Sequence, residues 1–167
     1  MKIEWIEIEL TNLEQMIVSD QVGAGLAALN NLLYDEPGYA RLHNHLGWAY
    51  ANYTENEERA ELHLKMAIRF EESYEPPYLH LASLYIRQGR YGDAMDCSED
   101  GLVKCKSRRV SLLQYLASAC ELRKDWGKAI KAYKDALMES VAENESSGLH
   151  AGIKRCRRKR MMVFLGL

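Results

Sequence analysis

Proline and phenylalanine are scarce in this chain of 167 residues, with three of the first and two of the second. So few prolines, beside many Leu, Ala and Glu, favour helix over sheet. No apolar run approaches the roughly 20 residues that a membrane span requires. The N-terminal segment carries Glu4, Glu7 and Glu9 among its apolar residues, unlike a cationic signal peptide. Cys97, Cys105, Cys120 and Cys156 form no C-x-x-C pair and no zinc spacing, so reduced structural thiols in the cytoplasm are expected. Without a secretory signal, the triplets Asn52-Tyr53-Thr54 and Asn144-Glu145-Ser146 read as coincidental glycosylation matches. Charge of one sign is also missing: 22 basic residues stand against 24 acidic ones, so total charge names no partner. No G-x-S-x-G, H-E-x-x-H or Cys–His arrangement is visible, and His43, His45, His63, His80 and His150 show no ligand spacing. The expectation is no enzyme, no cofactor and no metal.

What is present is a period. Leu46-Gly47 with Tyr50, Leu81-Ala82 with Tyr85, and Leu116-Ala117 with Cys120 follow one another at 35-residue spacing. Ala60, Ala94 and Ala129 each open a second apolar run, and Ala67, Gly101 and Ala136 follow seven residues later. A small residue lets two helix axes approach to the short end of the roughly 8–10 Å range, while the neighbouring Leu and Tyr fill the flanking grooves. The segments Gln88 to Ala94 and Arg123 to Ala129 each set an aromatic (Tyr91, Trp126) before a glycine (Gly92, Gly127) leading into the next helix. Period and small-residue register together describe a helical hairpin written several times.

This pattern resembles the tetratricopeptide repeat family, W-x2-L-G-x2-Y, then A-x3-F, then P, over about Gly38 to Val141. The opening tryptophan is His43, Tyr78 and Leu113 here, and the later aromatic is Leu64, Ser98 and Tyr133. The resemblance implies an all-α, right-handed solenoid of about three hairpins at 38–74, 75–108 and 109–144, within a single repeat domain over 1–167. A degenerate hairpin at 3–37 and a capping helix at 149–165 complete it. It implies a non-enzymatic adaptor that takes a peptide or helix of a protein partner in a concave groove lined by the first helix of each pair. By position the groove residues are Arg41, Asn44, His45, Trp48 and Asn52, then Leu79, His80, Ser83 and Arg87, then Gln114, Tyr115 and Ser118. Some family members clamp chaperone carboxylates with lysines, an arginine and asparagines. Only Asn44 matches that pattern, and Leu79 and Pro76 stand at lysine positions.

Outside the repeats, Ile3, Ile6, Leu10, Leu13 and Ile17 recur at helical spacing, which favours a helix to about Val18 over a short strand. Ser19 or Asp20 is expected to cap the next helix, about Gln21 to Tyr34. Leu13 and Ala27 mimic the 14-residue offset of Leu46 and Ala60, with Glu14 in the place of Gly47. Gly23-Ala24-Gly25-Leu26-Ala27-Ala28 matches a relaxed dinucleotide fingerprint. That motif needs a strand-to-helix turn, so helix packing explains it better. The remaining helices are expected at about Ala40–Tyr53, Glu57–Glu72, Pro77–Arg87, Tyr91–Cys105, Arg108–Arg123 and Trp126–Ala142. Ser146-Ser147-Gly148 should break the pattern before a last helix, Leu149 to Val163, whose Leu149, Ile153 and Cys156 seal the stack. That helix carries Lys154, Arg155, Arg157, Arg158, Lys159 and Arg160, which leaves a net of −8 over the rest of the chain. Solvated cations are the simplest reading. A contact with nucleic acid or an anionic membrane surface, and homo-oligomerisation, are the alternatives.

Overall fold

A computed structural model describes residues 2–140 and 143–166, with side chains over 4–140 and 146–166. The expectations that rest on the side chains of Ile3, Asn144 and Glu145, and on Val141 and Ala142, lie outside these limits. Among the described residues all regular structure is helical: α1 (Lys2–Val18), α2 (Val22–Asp35), α3 (Ala40–Tyr53), α4 (Glu57–Phe70), α5 (Pro76–Arg87), α6 (Tyr91–Lys104), α7 (Arg109–Leu122), α8 (Trp126–Glu139) and α9 (Glu143–Phe164). The chain forms two compact units, Met1–His80 and Leu81–Leu167, and the division falls within α5.

In the first unit α1 buries Ile6, Leu10, Leu13 and Ile17, one stripe at helical spacing. Gly25 of α2 sits directly on Ile17, and any Cβ there would collide with that side chain. The close approach in this hairpin therefore belongs to Gly25, while Ala27, the expected small contact residue, is exposed. Neither Ser19 nor Asp20 caps α2. Ser19 Oγ donates to the Gln15 carbonyl, Asp20 adopts φ 71°, and the cap position falls on Gln21 without a side-chain bond. The α3–α4 pair repeats the packing theme: a Cβ on Gly47 would stand 2.6 Å from Leu64 Cγ. Leu42, Leu46, Ala49, Ala60, Leu64 and Ala67 are buried within this unit.

In the second unit Ala82, Ala94, Ala117, Ala129 and Ala136 have no exposed surface, the packing expected for a small-residue register. The turn after α5 and the turn after α7 are closed alike. Gly89 and Lys124 take φ 73° and 67°, and the next amides, Arg90 N and Asp125 N, donate to Tyr85 O and Cys120 O at 2.9 and 2.8 Å. The corresponding turn after α3 is one residue longer and uses different chemistry. Thr54 Oγ1 accepts from Asn56 N, and Asn56 Oδ1 caps α4 through Arg59 N at 3.1 Å.

The last helix departs from expectation at its start. Ser146, Ser147 and Gly148 do not break the chain but belong to α9, which begins at Glu143 rather than at Leu149. Packing outweighs the weak local propensity of these residues. Leu149, Ile153 and Cys156 are buried as expected, and Gly152 lies under the Tyr133 ring, where a Cβ would meet Cζ at 2.7 Å.

Candidate functional site

In the first unit the outward side of α3 is organised around Arg41. Its Nη1 donates to Glu7 Oε2 of α1 at 2.5 Å, and its guanidinium lies 5.6 Å from the Tyr74 ring centroid. Tyr39 Oη donates to the other oxygen of Glu7, and burial together with that carboxylate pushes the phenol up to about 12. Sequence spacing named Arg41 but missed Glu7, Tyr39 and Tyr74. Alternating Glu residues in α1 were the available signal.

One turn on, Asn44 is only 5% exposed and its Oδ1 has no hydrogen-bond partner among the described residues. His45 is half-buried. Desolvation, then the His80 imidazole, lowers it to about 4, so it is neutral at pH 7. Trp48 is half-buried with its ring edge-on to Tyr53 at 5.1 Å, so it does pack against a neighbour of its own helix. Asn52 is exposed and donates to the Trp48 carbonyl. Arg41, Asn44, His45, Trp48 and His80 thus occur on α3 and α5 of a single unit, alongside an amide oxygen left unsatisfied.

A second cluster in this unit escaped sequence reasoning, which had found no partner for His63. His43 Nδ1 and His63 Nδ1 stand 3.1 Å apart, and His43 Nε2 faces the Pro37 carbonyl at 3.0 Å. A carbonyl only accepts, so the neutral His43 carries its proton on Nε2 and His63 Nδ1–H donates to it. Phe70 and Tyr50 flank the pair, and Arg59 caps the Tyr50 ring. Desolvation lowers both imidazoles, His63 to about 4. No group of three potential metal ligands occurs among the described residues.

In the second unit Ser83, Gln114, Tyr115 and Ser118 are half-buried and Arg87 is exposed. Ser118 is hydrogen-bonded to Tyr133, which places it at the edge of a charged cluster. At its centre is Glu121, 7% exposed. Arg155 Nε and Nη2 bind its two oxygens at 2.6 Å each, Lys159 Nζ binds at 2.9 Å and Tyr133 Oη donates at 3.3 Å. The bidentate guanidinium holds the carboxyl down at about 2. Lys159 also lies 5.3 Å from the Trp126 ring centroid. Two of the six cations therefore anchor α9 while 44% and 41% of the Arg155 and Lys159 side chains stay in water, and Lys154, Arg157, Arg158 and Arg160 are exposed as expected. The signal that could have separated them is the i, i+4 spacing of Arg155 and Lys159 beside the buried stripe.

Cys105, Cys120 and Cys156 are buried, and none of the four cysteines forms a disulfide. Burial raises Cys120 and Cys156 to about 11, so both remain protonated. No helix among the described residues is long and apolar enough to cross a membrane.

Comparison with solved structures places this architecture. The chain resembles TTC0263, a thermophilic TPR protein of Thermus thermophilus, with TM-score 0.68 and 19% identity over 84% of this chain and 77% of that one. It folds as a tetratricopeptide-like helical repeat. MamA is similar with TM-score 0.70 and 15% identity over 95% and 87% of the two chains. MamA 41-end from Desulfovibrio magneticus RS-1 gives 0.66 and 11% over 91% and 93%. No family model matches the sequence. No curated protein matches it either.

Proposed function

We propose that the chain is a protein-interaction module whose α3 side takes a peptide or helix of a partner protein. The observation that carries this reading is the Asn44 amide. It is buried with an unsatisfied oxygen, at a site lined by Arg41, neutral His45 and Trp48. An unmet buried acceptor costs stability, about 1–3 kcal/mol, unless a donor arrives. The oxygen lies beneath the surface, so a backbone N–H of a bound segment supplies one only where binding opens a path to it, and Trp48 offers the apolar anchor typical of interface centres. His80 belongs to the same proposed site. Ser83, Arg87, Gln114, Tyr115 and Ser118 are proposed for the same role in the second unit, and the repeat boundaries 38–74, 75–108 and 109–144 are part of this reading.

Site-specific photo-crosslinking tests it. A crosslinker at Asn52 should capture one segment of one partner, and one at Leu62 of α4 should not. Trp48→Ala should weaken that capture about thirtyfold, the loss of about 2 kcal/mol expected of a central aromatic. Equal capture from both positions, or an unaffected Trp48→Ala variant, sinks the proposal.

A further inference from the structure

The buried stripe of α9 ends at Cys156, but the helix runs on to Phe164. Every apolar residue of its final stretch faces solvent: Met161 58%, Met162 43%, Val163 69%, Phe164 88% and Leu165 59% exposed. A run of five exposed large apolar residues is not what a solvated cap requires. Immediately before it stand Lys154, Arg157, Arg158 and Arg160, all exposed. Ala151, Lys154, Arg155, Arg157, Arg158 and Met161 line one open hollow on the outer side of the helix, with Arg155 also tied to Glu121. Phe164 and Leu165, three and four residues beyond Met161, continue that same face. Leu165 N still donates to the Met161 carbonyl at 3.0 Å, so the last turn keeps helical geometry.

Two anchors explain why this hollow stays outward. Arg155 and Lys159 are fastened to Glu121, and Leu149, Gly152 and Ile153 pack on the body of the unit. Rotation of α9 would break a bidentate ion pair on a buried carboxylate. The exposed cations and the apolar foot are therefore presented together by a rigid mount.

We propose that the exposed end of α9, from Lys154 to Leu165, is a docking site for an anionic lipid surface that it enters end-on. The apolar foot, Met161 to Leu165, is about 6–8 Å long at 1.5 Å per residue. That matches the roughly 5–10 Å depth to which amphipathic elements enter the headgroup and acyl boundary. Lys154, Arg157, Arg158 and Arg160 sit within the two turns behind it, at the level of the lipid phosphates. Each cation near such a surface contributes about fivefold in partitioning at physiological salt. Charge complementarity also selects the orientation. The rest of the chain is net −6 once these four cations are set aside, so an anionic bilayer attracts this end of α9 and repels the acidic remainder. Nucleic acid fits less well. It would use the cations and leave Phe164 and Leu165 in water, and no aromatic interleaves the basic residues to stack on bases. A second copy would bring the two sets of cations together. The inference does not depend on the α3 site.

Flotation of the full chain with phosphatidylcholine vesicles, and with vesicles of seven parts phosphatidylcholine to three parts phosphatidylserine, tests it. The chain should float only with the anionic vesicles. Phe164→Ser/Leu165→Ser and, separately, Arg157→Gln/Arg158→Gln/Arg160→Gln should each reduce the bound fraction about tenfold or more, with circular dichroism unchanged. Failure of the unmodified chain to float overturns the proposal. So does loss of binding in the cation variant alone together with matching loss of DNA binding, which assigns the patch to nucleic acid. Conversion of a dimer to a monomer by Phe164→Ser/Leu165→Ser, read by light scattering, would assign the foot to a second copy instead.

Discussion

Four of the five histidines lie in the first unit and all four cysteines in the second, and, the buried carboxylate of Glu75 in the first unit aside, the polar clusters of the two units are held in opposite ways. In the first, His43, His63 and His45 are held neutral by desolvation, and the two closest rings share one proton-mediated contact. In the second, Glu121 is held charged by Arg155 and Lys159. A neutral imidazole tolerates burial without a counter-ion, whereas a carboxylate tolerates it only when fully paired. The first arrangement leaves polar groups available beside an open helix face. The second consumes its cations to fix a helix in place. That difference suits a recognition surface in one unit and a rigid mount in the other.

The largest expected effect comes from breaking the pairing in the second unit. Arg155→Ala/Lys159→Ala strands the Glu121 carboxylate in a site where it is only 7% exposed. Removing the partners of a buried charge costs about 3 kcal/mol. Chemical denaturation should show that loss, and adding Glu121→Leu should restore most of it. If the double variant were as stable as the parent chain, Glu121 would not be the mount.

Next in size are the close helix contacts, one in each unit. Gly47→Ala drives a methyl into Leu64, and Gly152→Ala drives one into the Tyr133 ring. Overpacking of about 1–3 kcal/mol, offset by up to about 1 kcal/mol of gained helix propensity, should leave both variants less stable. Gly148→Ala, with open space around it, should instead gain about 0.5–1 kcal/mol. Thermal melts that rank Gly148→Ala below Gly47→Ala would remove the packing argument. Ala82→Leu and Ala117→Leu, both at sites with no exposed surface, belong with the destabilised set.

Acid separates the two units by sign-determined windows. The folded imidazoles titrate below their ordinary value of 6.5, His45 and His63 at about 4. Between those values the unfolded chain binds more protons, so their contribution is complete above pH 6.5 and lost as pH falls towards 4. The groups facing the close pair are Pro37, Tyr50, Arg59 and Phe70, none of them acidic. Glu121 is lowered from 4.5 to about 2, so its contribution fades only between those values. Variants that keep Trp48 alone or Trp126 alone should report the first transition before the second as pH falls. Coincident transitions would mean that the histidines do not set the acid limit of the first unit.

The repeat register was legible in the sequence because small residues at a fixed period have one economical explanation, and Ala60, Ala94, Ala129, Gly47 and Ala82 pack as that explanation requires. Boundaries governed by tertiary contact were less legible. Ala27 looked like a packing residue because it keeps the 14-residue offset, yet Gly25 makes the contact with Ile17. Ser146 to Gly148 looked like a break, yet the buried stripe that follows carries the helix through them. The pairings His43–His63 and Glu121–Arg155 join residues 20 and 34 apart on different helices. No local pattern encodes such a distance without the packing angle of the hairpins.

The smallest effect is also the most discriminating for α9. Arg157→Gln/Arg158→Gln/Arg160→Gln removes three cations that are exposed, and exposed charges contribute about 0–1 kcal/mol to folding. Their loss also relieves repulsion within a run of six basic residues, which offsets part of any lost attraction to the acidic remainder of the chain. The stability of the triple variant should therefore stay within about 0.5 kcal/mol of the parent protein, at low and at high salt. Arg155→Ala/Lys159→Ala, two substitutions in the same run, should cost several times more. A similar loss from both sets would mean that all six cations act together as a counterweight to the body's charge. A silent triple variant beside a damaged double variant assigns Arg155 and Lys159 to holding the helix and leaves Arg157, Arg158 and Arg160 available for a surface outside the fold.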